Sequence, residues 1–294
     1  MNYSIVIATL DRPAELGTTL ESIAAQTAPA SRVIVVDASS TGATRALVEG
    51  LSGRLPVIYE RAERPSSAAQ RNQGARRVET PLIAFVDDDV DLPPSTFAKL
   101  GAVFAADTQA EIGGVAGRIK GLEHPVPRGF TRWYYRFQAG YAHPTYGGKL
   151  FGPAINCLPS YTENEGEVVA AEWLNSTCVL YRTGLFLREE FPDFEGYSFL
   201  EDVHLSARIA RTHRLYFHCD ARYEHRDAPS TFKRDLRAMM RMRFHNQRLV
   251  ARDIMGVRQP ELAMKLLLHR IFASMATLRH GSREWRDILI GTWT

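Results

Sequence analysis

LIAFVDDD, residues Leu82 to Asp89, is five apolar residues followed by three acids, and it is the stretch on which the fold turns. An apolar run of this length bounded by charge reads as a strand buried on both faces, as in a parallel sheet covered by helices on each side. The preceding sequence repeats the pattern. Tyr3 to Thr9 (YSIVIAT), Arg32 to Asp37 (RVIVVD) and Pro56 to Glu60 are further strands. Between them, Asp11 as N-cap with Pro13 in the first turn opens a helix to about Gln26, and helices follow at Ala43 to Leu51 and Ser66 to Val78. Alternation of this kind predicts an α/β protein with a mostly parallel sheet.

Beyond residue 112 the alternation weakens. Gly113 to Lys120 reads as a strand, whereas Gly121 to Ala170 is rich in Gly, Pro and aromatic residues without a clear period and reads as a long functional loop. A strand at Glu172 to Arg182, a helix from about Leu200 to Thr212, a strand at Leu215 to Phe217 and helices at about Ser230 to Met255 and Pro260 to Arg279 complete the expectation. The organisation predicted is one domain over 1–227, in halves of about 1–120 and 121–227, with a helical extension over 228–294. Leu262 to Leu278 is the most apolar helical segment, but Lys265, His269 and Arg270 interrupt it and it is too short to span a bilayer.

Composition excludes some classes. Cys157, Cys178 and Cys219 are odd in number and widely spaced, which suggests neither a disulfide framework nor a zinc site and fits a reducing cytoplasm. MNYSIVIATLDRP has no basic region or small-residue cleavage site, and reads as a first core strand instead of an export signal. The net charge of +3 hides an asymmetry. Residues 228–294 carry thirteen Lys and Arg against five acids, about +8, and the remainder carries about −5. Such a tail suits anionic lipid at the inner face of a membrane, a polyanionic acceptor, or plain solvation. Nucleic acid is not an expected partner.

In an open α/β sheet, ligands bind beyond the carboxyl ends of the strands, where Asp37 and the Asp87, Asp88, Asp89 cluster fall. Three adjacent acids repel one another where water is partly excluded, and a divalent cation relieves that repulsion. Hard oxygen ligands suit Mg²⁺ or Mn²⁺ bridging to a diphosphate. The alternative is an acidic loop leading into a helix at Asp91-Leu92-Pro93-Pro94, whose dipole favours carboxylates. No GxGxxG follows the first strand, and neither a P-loop nor a Gly-x-Ser-x-Gly elbow occurs.

Four segments in order resemble the inverting glycosyltransferases of family 2, which have the GT-A fold. SIVIATLDRP followed by RVIVVDASS resembles the opening of that family and assigns Asp37 to the nucleotide base. AAQRNQGARR resembles its Arg-Asn-x-Gly helix beside the ribose and diphosphate, here Arg71, Asn72 and Gly74. FVDDDV resembles the DxD motif, with Asp87 and Asp88 on the nucleotide-sugar side and Asp89 on the metal. LEDVHLSARI resembles the segment carrying the catalytic base, here Asp202 with Glu201 beside it. The resemblance runs from Tyr3 to His225, leaves 121–170 unmatched, and departs at Ala38, where many relatives have a second acid. It implies a nucleoside-diphosphate sugar bound in the first half, a glycan or lipid-linked acceptor in the second, and a divalent metal.

A carboxylate at a helix start is held ionised and in place, as a base for an acceptor hydroxyl requires, although helix capping alone also explains Glu201 and Asp202. His225, in YEHRDAPST, stands where the resemblance implies a metal or diphosphate ligand, with Arg226 and Lys233 as further phosphate contacts. Trp173 and Asn175 are candidates for the acceptor side, since an aromatic face stacks on a sugar; a core indole is the alternative for Trp173. The rivals are a sugar nucleotidyltransferase, which attacks phosphorus, and a catalytically silent glycan- or membrane-surface-binding protein.

Overall fold

The computed structural model describes all residues except 161, 163–166, 195–198, 228–234 and 282, together with the side chain of 280. Its elements are β1 (Tyr3–Thr9), α1 (Pro13–Ala24), β2 (Arg32–Asp37), α2 (Ala43–Leu51), β3 (Val57–Arg61), α3 (Ser67–Ala75), β4 (Leu82–Val86), β5 (Val90–Asp91), α4 (Thr96–Ala105) and β6 (Ile112–Ile119). Then come α5 (Gly129–Ala139), the two-residue pair β7 (Leu150–Phe151) and β8 (Ile155–Asn156), β9 (Val168–Ala171), β10 (Cys178–Arg182), α6 (Thr183–Glu189) and α7 (Glu201–Ile209). β11 (Arg214–His225), α8 (Leu236–Asp253), α9 (Glu261–His280) and α10 (Trp285–Trp293) complete the chain.

The main sheet has the order β3-β2-β1-β4-β10-β6-β11-β5, with β9 also on β11. β3, β2, β1 and β4 are parallel, as the apolar runs predict, and β4 is buried along its whole length. β10 enters antiparallel between β4 and β6, with Cys178 opposite Val86. That reversal brings the residues before β10 to the carboxyl end of β4, where the Asp87 N–H donates to the Thr177 carbonyl (3.0 Å). β11 runs parallel to β6 and ends with His225 opposite Val90 on β5. Two apolar layers, one on each face of the sheet, form the core.

Several expectations are corrected. Asp11 does not cap α1: it has φ 53° and its carboxylate accepts from the Ser40 N–H and hydroxyl, while Arg12 stands at the N-cap position. The strand expected at 172–182 is only its second half, β10; residues 172–177 are not strand, and a separate strand, β9, precedes them. The strand expected at 215–217 is the twelve-residue β11. The long loop contains α5, and a third C-terminal helix, α10, follows α9. Among the described residues no helix is long and apolar enough to cross a membrane.

Candidate functional site

The site lies where β1, β2, β4 and β11 end and α7 begins. β4 and β5 are separated by Asp87, Asp88 and Asp89, and hydrogen bonds from Thr19 hold this turn: its hydroxyl contacts the Asp88 and Val90 carbonyls (2.9 and 2.8 Å) and the Val90 N–H (3.1 Å). The alternating carboxylates part company. Asp87 and Asp89 converge with His225, their ligand atoms all within 4.8 Å of one another. Asp88 points elsewhere and is 1% exposed; it accepts from the Thr9 hydroxyl (2.7 Å) and pairs with Arg12 (2.9 Å), so it fastens the turn to β1 and does not face the nucleotide-sugar side.

His225 Nε2 lies 3.1 Å from Asp89 Oδ1, and this contact, ahead of the opposing desolvation, raises its pKa above the ordinary value. Arg12 Nη1 reaches the other oxygen of Asp89 (3.1 Å). On the far side, Arg71 bridges two acids, with Nη2 2.6 Å from Asp87 and Nη1 3.3 Å from Glu201, above the ring of Phe191. Asp87, Asp88, Asp89, Glu201 and Asp202 are five carboxylates facing the two fixed cations Arg12 and Arg71. Desolvation dominates what this imbalance does: burial pushes Asp88 up to about 7 against the pull of Arg12, and raises the Glu201 and Asp202 carboxyls although Arg71 is near. The position at a helix start therefore does not hold Asp202 at an ordinary carboxylate pKa, as the sequence suggested; loss of water outweighs the dipole. A divalent cation suits such a site, and two carboxylate oxygens with one imidazole nitrogen are a donor set for Mn²⁺ or Mg²⁺.

α7 starts after Leu200, which has φ 66°, an unfavourable backbone for a branched residue and one found at constrained sites. Asp202 Oδ1 accepts from the Val203 N–H (2.7 Å).

The remaining sequence candidates divide. Asp37, at the end of β2, is fully covered; it accepts from the Ser39 N–H (2.9 Å) and the Tyr59 hydroxyl (3.1 Å), so it shapes the turn after β2. Asn72 is turned away from the acids, and its amide brackets the backbone of Phe191, donating to the carbonyl (2.9 Å) and accepting from the N–H (3.0 Å). Gly74 faces the sheet; a Cβ there would lie 2.6 Å from Val6 and 2.9 Å from Val36, so its lack of a side chain serves close packing of α3 on β1 and β2 instead of ligand approach. Trp173 is also corrected. Only 3% exposed, it packs with Val203, Val250, Ala251 and Leu262, and its Nε1 donates to the Cys157 carbonyl (3.2 Å), so its faces are spent in the core. Asn175 remains in the site region: its amide is buried beside the Tyr223 hydroxyl, which the Thr177 side chain also approaches. Arg226 pairs with Asp91 (3.6 Å), and Lys233 lies outside the described residues. Sequence reasoning missed Arg12, Thr9, Thr19 and Tyr223; Arg12, in the loop beyond the first strand, was the one with a positional signal.

The sheet order and the acids at the β4–β5 junction define a GT-A-type α/β protein. The chain belongs to glycosyl transferase family 2, whose family model matches residues 4–158, just over half of its length. It is 38% identical over 115 residues to validoxylamine A glucosyltransferase of Streptomyces hygroscopicus subsp. limoneus, and 36% identical over 115 residues to that of subsp. jinggangensis (strain 5008). These alignments cover 37% of this chain but only 25% and 27% of those proteins, so the matched stretch spans about a quarter of their length. Among solved structures, the mannosyltransferase PcManGT from Pyrobaculum calidifontis in complex with GDP-Man and Mn²⁺ superposes with a TM-score of 0.58 at 16% identity, covering 99% of this chain and 84% of that one. S. aureus TarS 1-349 in complex with UDP-GlcNAc gives 0.54 at 18% identity, covering 99% and 79%. Identities this low speak for the fold.

Proposed function

We propose that the chain is an inverting, metal-dependent glycosyltransferase that moves a sugar from a nucleoside-diphosphate sugar to an acceptor hydroxyl in glycan or glycolipid synthesis. The observation that carries this reading is the meeting of Asp87, Asp89 and His225 with Arg71, Glu201 and Asp202 beyond the end of β4. The two sets face different tasks. The first suits a cation and a departing diphosphate; the second offers a carboxylate to an acceptor. PcManGT carries GDP-Man and Mn²⁺, and the TarS structure carries UDP-GlcNAc, which supports a nucleotide sugar and a metal in this fold.

Asp89, Asp87 and His225 would hold the ion, which when bound would offset the charge that develops on the leaving diphosphate. Asp202 accepts the proton of the acceptor hydroxyl as its oxygen forms a bond to the anomeric carbon. The bond from that carbon to the diphosphate oxygen breaks with its electron pair, and attack opposite to it inverts the configuration. Arg71, fixed between Asp87 and Glu201, keeps the donor-side and acceptor-side carboxylates in register. Asn175 stands on the acceptor side. Base recognition belongs to the turn shaped by Asp37, and the donor contacts come from residues 1–120 with His225 added from the second half. Cys157, Cys178 and Cys219 are buried and form no disulfide among the described residues, in keeping with a cytoplasmic location.

The test is a thermal-shift screen of UDP-, GDP- and dTDP-sugars with Mn²⁺, followed by product analysis. One donor at a hundred times its dissociation constant should add about 2.7 kcal/mol of stability. Transfer should release free nucleoside diphosphate and stop with EDTA. Release of pyrophosphate would make the chain a nucleotidyltransferase, and EDTA-insensitive transfer would remove the metal from the reading.

A further inference from the structure

α5 and α9 lie side by side and antiparallel. Phe130 meets Phe272 (6.2 Å between rings), the Tyr134 ring stacks on Phe272 (4.0 Å) and its hydroxyl bonds His269 Nδ1 (2.8 Å), and Gln138 donates to the Lys265 carbonyl (3.1 Å). The inward faces are thereby spent. Each helix nevertheless carries a second apolar stripe facing outward. On α5 it is Trp133 and Phe137, with Phe130 at the edge between the two faces, at i, i+3, i+7; successive rings stack at 5.7 and 5.8 Å and Trp133 is 60% exposed. On α9 it is Met264, Leu267, Ile271, Met275 and Leu278, all exposed and repeating every three or four residues. Single exposed apolar residues are ordinary; two ordered stripes on adjacent helices are the mark of a binding face.

Charge indicates what covers it. α5 exposes Arg128, Arg132 and Arg136 along its length. Between α8, α9 and α10 an open groove of about 630 Å³ is lined by Arg241, Arg248, Arg270 and His245 around Phe244 and Leu267, so a residue of the α9 stripe is also a wall of the groove. Arg237–Asp287, Arg252–Asp253 and Lys265–Glu261 are ion pairs of the C-terminal helices; among the described residues none of Arg128, Arg132, Arg136, Arg241, Arg248 and Arg270 joins one. A second copy of the chain would bring like charges together. A surface that is at once apolar and anionic satisfies both features, and aromatic residues with arginine are the side chains suited to the boundary between headgroups and acyl chains.

We infer that α5 and α8–α10 form a docking face for a bilayer rich in anionic lipid, with the two stripes entering the headgroup boundary and the arginine groove receiving lipid phosphate. This deepens the reading of the C-terminal helices without depending on sugar transfer. The test is flotation of the full chain with vesicles of equal parts phosphatidylglycerol and phosphatidylcholine, against vesicles of phosphatidylcholine alone. The chain should float with the first, stay behind with the second, and be released by high salt. Ile271→Glu with Met275→Glu should abolish flotation, and each of Arg132→Ser and Arg248→Ser should weaken binding about fivefold. Thermal shifts on adding a donor sugar, unchanged in these variants, report that they remain folded and separate this test from that of the active site. Absence of flotation overturns the inference, as does flotation that survives the double substitution. So does a dimer in sedimentation equilibrium that the double substitution splits while vesicles bind neither form.

Discussion

Charge is concentrated in two regions of this molecule and handled in opposite ways. At the carboxyl ends of the strands it is buried and opposed: Arg71 sits between Asp87 and Glu201, and Arg12 between Asp88 and Asp89. In the C-terminal helices it is exposed and mostly of one sign, as the thirteen basic residues against five acids over 228–294 require. Buried pairs depend on geometry and lose little to salt, whereas exposed charge acts collectively and is screened within about 10 Å at moderate ionic strength. The first arrangement suits recognition of a small ligand, and the second a broad surface.

The largest expected effect breaks the comparison at its catalytic end. Asp202→Asn should lower transfer by about 10² to 10⁴ while donor affinity stays near that of the unaltered chain. Equal turnover in a folded variant would remove Asp202 as the base. Next is Trp173→Ala, directed at the seam where both regions meet, because Trp173 packs against Val250 and Ala251 of α8 and Leu262 at the start of α9. It should cost about 3–5 kcal/mol in a denaturant titration, by opening a cavity in the core. A role in sugar stacking would instead leave stability intact and weaken acceptor binding.

The pH dependence sharpens the contrast further. Burial raises the Glu201 and Asp202 carboxyls, so the pair holds a proton at a pH where exposed carboxylates have lost theirs. Transfer should therefore fall on acidification well above pH 4. Stability has the opposite sign: the folded state binds more protons than the unfolded one between the ordinary and the raised pKa values, so these two groups contribute less stability as pH rises through that window. A pH profile of transfer rate beside one of thermal midpoint reads both trends. The smallest effect belongs to the helices. Asp235 caps α8 by accepting from the Ala238 N–H (3.0 Å), and Asp235→Ala should cost about 1 kcal/mol without changing the transfer rate measured at full folding.

The parallel core was legible because each of its strands is a short apolar run ending at a charge or a turn, and the helices between them have caps and proline in recognisable places. β11 contains no long apolar run and was expected only over Leu215 to Phe217; beyond them Asp220, Arg222 and Glu224 alternate with buried Cys219, Ala221 and Tyr223, the period-two pattern of a strand with one polar face. α5 was hidden for another reason. Its aromatic residues occupy both faces, Tyr134 and Tyr135 inward and Trp133 and Phe137 outward with Phe130 at the edge between them, so no single apolar period survives in the sequence.

By itself the sequence determined the layer architecture and the strand end at which Asp87, Asp88 and Asp89 concentrate charge, since periodicity and local charge are properties of contiguous residues; Asp202 was singled out only by the resemblance of its segment. Tertiary structure decided which of the candidates face one another. The antiparallel entry of β10 sets Asn175 beside the end of β4, and the last residues of β11 carry His225 to Asp89. Asn72 is paired with Phe191, 119 positions away, Gly74 lies against Val6 and Val36, and Trp173 is drawn into the joint with α8. Residue type and spacing state what a side chain can do; the packing of distant segments states what it is left free to do.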